Sequence, residues 1–261
     1  MNELKMPYIG VTGVMKREES SYLSRLIPRD GCRQLMVGVL ASLNTLRGKG
    51  HNRSNRYPLS CAMADIFFGT HSSWPPTLNL IHYATNEPDT LYDQLVEVDR
   101  QGGWCCDGVQ LNMVWPQASV LEAYRMRNSW AERTIVLQVG AGAFRAIHSP
   151  KELVQKIHEY EGIIDYVLLD LSGGLEKSLD ENCLRPYLEA LYGASLALRV
   201  GVAGGLGPDT LHLVEPLLVA FPDLSIDAES KLRNSDDCLD IVRAEEYVKQ
   251  GMVLCNHCAV Q

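Results

Sequence analysis

Short apolar runs alternate with amphipathic stretches along the chain. The runs are Tyr8–Met15, Gln34–Ala41, Asn79–Ala84, Gly108–Val114, Thr134–Val139, Asp165–Leu171, Ala197–Val202 and Leu224–Ala228. They are rich in Val, Ile and Leu and nearly continuous in apolarity, the pattern of strands buried on both faces. Between them, apolar residues recur at helical spacing. Ser149-Pro150-Lys151-Glu152 combines a capping Ser, a first-turn Pro and a Glu three residues after the cap. Leu153, Val154, Ile157 and Tyr160 then form one face of the helix it opens. Another helix is expected to begin at Asp236 or Asp237, present Leu239, Ile241, Val242, Tyr247 and Val248, and close at Gly251. Pro208-Asp209 opens a third, which Pro216 should kink or shorten. Asp89–Arg100 and Ser119–Trp130 supply two more.

Strict alternation of strand and helix implies parallel pairing through right-handed crossovers. Eight such units predict an α/β fold: a single (β/α)8 TIM barrel spanning residues 1–261, rather than an open doubly wound sheet. No G-x-G-x-x-G follows the first strand, which also disfavours a dinucleotide-binding sheet. The main irregularity is the long loop Ser42–Pro58 after the second strand. It carries Arg47, Lys49, His51, Arg53 and Arg56 in an otherwise acidic chain. Loops of this length are usually functional or disordered. A lid over an anionic ligand and a solvated loop balancing an acidic surface both fit this one.

Hydrophobic residues make up 46% of the 261 positions and charged residues 21%, enough for a sizeable core without disulfides or a structural metal. A net charge of −8 argues against nucleic acid and weakly against an anionic membrane surface. No apolar run approaches the roughly 18–20 residues that span a bilayer. Met1 to Lys5 lacks the order of a secretory leader, so a cytoplasmic protein is expected. The eight cysteines have no framework spacing and are expected to be mostly buried thiols. Cys255-Asn256-His257-Cys258 has metal-ligand spacing but no second ligand pair, so a terminal strand or tail with incidental thiols is expected. Nothing in the sequence demands a metal or an organic cofactor.

In such barrels the chemistry sits at the C-terminal strand ends. Polar residues there are Thr12, Gln110 with Asn112, Gln138, Asp170, and Asp227 with Glu229. Residues two apart on a strand share a face, so Gln110 and Asn112 point together, as do Asp227 and Glu229. Some of these side chains could equally cap helices or pair with the basic loop. Asp170 ends the run Tyr166-Val167-Leu168-Leu169 and precedes Ser172-Gly173-Gly174. A carboxyl at an apolar strand end can have a raised pKa and act as general acid or base near neutrality. After the seventh strand, Ala203-Gly204-Gly205-Leu206-Gly207-Pro208 offers bare backbone N–H groups at a frequent phosphate position of barrels.

These motifs, in this order, resemble phosphoribosylanthranilate isomerase, a family with a barrel of the ribulose-phosphate-binding type. Ile9-Gly10-Val11-Thr12-Gly13-Val14 resembles the family's opening strand, K-[IV]-C-G-[IL]-[TK]. Leu35-Met36-Val37-Gly38-Val39 with Asn55-Arg56-Tyr57-Pro58 resembles its G-F-V-F strand and S-P-R-Y turn, and Val109-Gln110-Leu111-Asn112 its V-Q-L-H. Leu168-Leu169-Asp170, Gly173-Gly174 and Leu179-Asp180 resemble L-L-D…G-G-T-G…F-D. Val202-Ala203-Gly204-Gly205-Leu206-Gly207-Pro208 is similar to L-A-G-G-L-x-P, and Ile226-Asp227-Ala228-Glu229-Ser230 stands where V-D-V-S-S-G would be. The family rearranges an aminoaldose phosphate to an aminoketose, with a cysteine base on strand one and an aspartic acid that protonates the ring oxygen. The resemblance implies that Asp170 is the acid, that Arg56 faces the anthranilate carboxylate, and that Gly204 and Gly205 help hold the phosphate.

The sequence departs from the pattern at several of these positions. Thr12 replaces the cysteine, and its hydroxyl is too weakly acidic to be a base without help. Asn112 replaces a usual histidine. Leu175-Glu176 and Glu229-Ser230-Lys231 alter the phosphate loops. A carboxylate roughly 4 Å from a phosphate oxygen costs on the order of 1–4 kcal/mol, unless Lys231 offsets it or Glu229 turns away. The candidate catalytic residues are Asp170, Thr12 and Glu229. The candidate substrate-binding residues are Arg56, Gln110, Asn112, Gly173, Gly174, Gly204, Gly205 and Ser230. Three functions stay open: a divergent isomerase acting on a sugar phosphate or related small anion, a phosphoribosylanthranilate isomerase of tryptophan biosynthesis with a substitute base, and a non-catalytic ligand-binding barrel. The expected partner is a small phosphorylated molecule, and monomer and homodimer are both compatible.

Overall fold

The structure, a computed structural model, describes residues 4–28, 31–49, 51, 53–74, 76–127, 133–171 and 179–258. Eight parallel strands, β1 (Tyr8–Thr12), β2 (Gln34–Ser42), β3 (Leu78–Ala84), β4 (Gly108–Asn112), β5 (Thr134–Gly140), β6 (Tyr166–Asp170), β7 (Arg199–Ala203) and β8 (Ser225–Ala228), close into a barrel in sequence order. Closure is by β8 on β1, with Gly10 opposite Asp227. Each of the eight apolar runs coincides with one strand, β2, β3, β5 and β7 each extending one residue beyond its run. The loops the runs reach into, such as Gly13–Met15 and Met113–Val114, fall outside the ladders.

Two apolar layers form because each strand is buried on both faces. Outward residues such as Ile9, Val37, Ile81, Val109, Leu137 and Val167 pack beneath the helices. Inward residues Tyr8, Met36, Leu78, Leu80, Val136, Tyr166 and Leu168 fill the barrel's N-terminal half, with the Tyr8 and Tyr166 rings 5.2 Å apart. Fully burying one such side chain contributes about 1.5–3 kcal/mol. Sealing the lower barrel confines any ligand space inside the barrel to its C-terminal end.

The helix Pro150–His158 starts as its sequence predicts. Ser149 Oγ accepts from the Glu152 N–H at 3.2 Å, and Glu152 accepts from the His148 N–H. Asp89–Arg100 and Ser119–Trp130 correspond to the helices Leu91–Gly102 and Ala118–Met126. Pro216 splits its region into a 3₁₀ turn, Pro208–Leu213, and a short helix, Glu215–Ala220. The last helix differs from expectation at both ends. It spans Ile241–Cys258, and its first N–H groups bond Asp240 rather than Asp236 or Asp237. Asp237 instead adopts φ 62° and takes part in a salt bridge. Gly251 does not close this helix. It lies where the helix presses on β1 and β8, and a Cβ there would sit 3.3 Å from Ile9 and 3.4 Å from Ile226. Residues 255–258 are therefore helical, not a terminal strand or tail.

The cysteines also depart from expectation. Cys106 and Cys255 are buried, but Cys32, Cys61 and Cys183 are exposed, because they sit on loops and outer helix faces. Among the described residues no group of three or more His, Cys, Asp or Glu is placed to hold a metal ion. Among the described residues no helix is long and apolar enough to cross a membrane.

Candidate functional site

Above the apolar plug, the inward positions of the same strands turn polar. Thr12, His82, Gln110, Gln138, Asp170 and Asp227 ring a narrow inner cavity of about 90 Å³ at the C-terminal end. Thr12 Oγ1 donates to Asp227 Oδ1 at 2.9 Å, and Gln110 Nε2 donates to Asp227 Oδ2 at 3.2 Å. Gln110 also reaches Gln138 at 3.4 Å, and Gln138 Nε2 donates to Asp170 at 2.9 Å. Two carboxyls on β6 and β8 are thus joined through two amides. Glycines make the room: a Cβ on Gly10 would lie 2.6 Å from Asp227 Oδ1, and one on Gly38 would lie 2.5 Å from Thr12 Oγ1.

Burial decides the charge state of this floor. It pushes the Asp227 carboxyl up to about 7, against the lowering hydrogen bonds from Gln110 and Thr12, while Glu229 and Asp170 push it further up. Burial lowers the His82 pKa, so the imidazole is neutral at neutral pH despite the opposing pull of Glu229 and Asp170. His82 is hydrogen-bonded to Gln138, while its buried Nδ1 has no partner among the described residues.

The rim joins the two loops after β2 and β8. Arg56 lies between Glu229, at 2.9 Å, and Asp237, at 2.6 Å. The Asp237 hydrogen bond raises the Arg56 pKa, and Arg56 in turn lowers that of Asp237. Arg233 braces the same corner by donating to the Gly13, Asn55 and Asp237 carbonyls. Part of the long basic loop is thereby pinned to the loop before the last helix, and its start forms a short helix, Leu43–Leu46. Arg47 pairs with Glu87.

The opposite rim is open. A chamber of about 400 Å³ shares His82, Gln138, Asp170 and Glu229 with the inner cavity and extends over the loops after β3, β4 and β5. Behind the inner cavity, Gly204 and Gly205 turn the chain after β7 at φ 128° and 59°. Among the described residues, no backbone carbonyl accepts from the Gly205 or Ser230 N–H.

Of the residues singled out in the sequence, Thr12, Arg56, Gln110, Asp170, Gly204, Gly205, Glu229 and Ser230 meet at the inner cavity. Asn112 lines the outer chamber. Gly173, Gly174, Leu175 and Glu176 lie outside the described residues. Glu229 does face the site, as its two-residue spacing from Asp227 implies, but its charge is met by Arg56. Lys231 has no part in this pairing.

Sequence reasoning missed His82. The signal was present: in Leu78-Asn79-Leu80-Ile81-His82 a period of two puts Leu78, Leu80 and His82 on one face, and His82 pairs in register with Gln110.

No protein-family model and no curated protein sequence matches the chain. Solved structures do resemble it. A phosphoribosyl anthranilate isomerase from Thermus thermophilus is 13% identical with a TM-score of 0.62, over 94% of this chain and 99% of that one. Its counterpart from Thermococcus kodakaraensis is 14% identical with a TM-score of 0.57, over 95% and 98%. A fructose-bisphosphate aldolase from Campylobacter jejuni is 12% identical with a TM-score of 0.56, over 96% and 90%. At these identities the likeness is one of fold, and folds of this kind host many chemistries.

Proposed function

We propose that residues 1–261 form one barrel-enzyme domain that catalyses acid–base isomerisation of a sugar phosphate or closely related small anion. The reading rests on one observation: the buried Asp227 carboxyl, poised at about 7, is wired through Gln110 and Gln138 to Asp170 across the inner cavity. A 1,2-shift needs a group that takes a proton from carbon and a group that gives one to oxygen. Asp170, at the end of β6, gives the proton to the ring or carbonyl oxygen. Asp227 takes the carbon-bound proton, since a base near 7 is ionised often enough and holds a proton well enough for both halves of the cycle. Thr12 is then a positioning residue: its hydroxyl donates to Asp227 and orients it. Glu229 holds Arg56. The Gly205 and Ser230 N–H groups supply an anion cradle needing no basic side chain.

Within this reading, the specific phosphoribosylanthranilate isomerase activity is the less supported form. Arg56 would have to serve an anthranilate carboxylate while already engaged by two protein carboxylates.

The test follows loss of phosphoribosylanthranilate fluorescence, beside NMR of a panel of aldose and ketose phosphates. It uses wild type, Asp170→Asn and Asp227→Asn. Turnover of any of these by wild type, reduced at least about 100-fold in both variants, is the expected result. Turnover unchanged in both variants would remove the carboxyl pair from the mechanism. A folded wild type that binds sugar phosphates without converting them would instead make this a ligand-binding barrel.

A further inference from the structure

Asn86, Asn112, His82 and Arg145 line the outer chamber. Among the described residues, the side chains of Asn86, Asn112 and Arg145 have no hydrogen bond or ion pair, and the buried His82 Nδ1 has no partner. Buried polar groups are ordinarily satisfied, so the unpartnered His82 Nδ1, beside the half-buried Asn112 and the exposed Asn86 and Arg145 that meet only solvent, marks a place where a ligand can complete the set. The two amides and the imidazole suit hydroxyl groups, which can donate and accept in turn. Arg145, exposed on the rim after β5, offers a guanidinium fork that pairs with no carboxylate among the described residues. Arg56, after β2, differs in this respect, since both its faces are occupied. Arg145 is therefore a cation available to an incoming acid group on the other side of the mouth, as Arg53 is on the inner-cavity side.

We infer that the outer chamber binds the far half of an elongated polyhydroxylated substrate that ends in a second anionic group, carboxylate or phosphate, held by Arg145. The inference rests on the sugar-phosphate reading above and extends it. One phosphate lies against Gly205 and Ser230, the reacting carbons sit beside the shared wall of His82, Gln138 and Asp170, and the remaining chain runs out past Asn112 and Asn86. Such a substrate is dianionic at its two ends, and the mouth separates those ends.

Calorimetric titration of the full chain with matched probes tests this. Ribulose 5-phosphate and ribulose 1,5-bisphosphate differ by a second phosphate, and glucose 6-phosphate and 6-phosphogluconate by a carboxylate. In wild type the second anion is expected to tighten binding at least about ten-fold in one pair or both, and the pair that responds identifies the anion. Arg145→Glu, at an exposed position that leaves the fold intact by its thermal midpoint, should turn that preference into discrimination against the second anion. Equal binding within both pairs, or a preference that survives Arg145→Glu, would overturn the outer site while leaving the sugar-phosphate reading in place. Failure of all four probes to bind would overturn both.

Discussion

The two sides of the barrel mouth are built from similar materials and treated in opposite ways. Between the loops after β2 and β8, Arg56 touches Glu229 and Asp237, and Arg233 caps three carbonyls. Over the loops after β3, β4 and β5, Asn86, Asn112 and Arg145 face a chamber and have no protein partner among the described residues. The first arrangement holds loops to one another and contributes to stability. The second leaves these side chains to solvent, which adds nothing to the folded state. Between them lies the carboxyl pair, in which burial is the largest cause that lifts Asp227 to about 7.

The largest expected effect breaks this middle ground. Asp170→Asn or Asp227→Asn should lower kcat/KM on a turned-over sugar phosphate by about 100- to 10,000-fold, with secondary structure unchanged by circular dichroism. A loss below ten-fold would place the chemistry elsewhere in the mouth.

Next comes the pH dependence of stability. Asp227 titrates near 7 in the folded protein against an ordinary 3.8, so folding holds its proton more tightly. That contribution is fully present below 3.8 and is lost as pH rises through about 7. His82 works in the opposite sense: its lowered pKa removes stability as pH falls below its ordinary 6.5. The informative quantity is therefore the difference between wild type and Asp227→Asn. The variant cannot ionise, and it should gain on wild type by about 2–4 kcal/mol between pH 5 and pH 8 in urea unfolding. A constant difference across that range would mean that Asp227 titrates as an ordinary carboxylate.

A smaller effect separates the two rims. Arg56→Met leaves Glu229 and Asp237 facing each other without their cation and should cost about 1–3 kcal/mol, more than an exposed pair and less than a fully buried one. Smallest of all, Asn86→Ala and Asn112→Ala should move stability by no more than about 0.5 kcal/mol, because neither side chain has a protein partner to lose. If Asn112→Ala destabilised the protein as much as Arg56→Met, the open side would be structural after all.

How much of this was legible along the chain differs from feature to feature. The eight strands were, because burial on both faces leaves a nearly continuous apolar run that needs no partner to recognise. The Ser149 cap was, because the whole motif lies within four residues. The start of the last helix was not. Asp236, Asp237 and Asp240 are equivalent as local signals, and what separates them is that Asp237 is drawn to Arg56, 181 residues away. Gly251 read as a helix end for a similar reason, since its use is contact with Ile9 and Ile226. In the site, Asp170 announces itself by following four apolar residues and preceding glycines. Asp227 was visible as a strand-end acid beside Glu229, yet nothing local distinguishes the acid that is desolvated from the acid that is paired. That distinction depends on Gly10 and Gly38 leaving space on neighbouring strands, and on an arginine from a distant loop.

The contact between Thr12 and Asp227 spans 215 residues. On a ribosome, the hydroxyl and the glycines that will enclose the carboxyl emerge among the first strands, and the carboxyl emerges with the last. Until β8 docks against β1, Asp227 is a solvated acid of ordinary strength, unable to keep a proton at neutral pH. Completing the barrel and raising the carboxyl's pKa are therefore one event, and a chain in which that seam has not closed holds Asp227 as an ordinary acid.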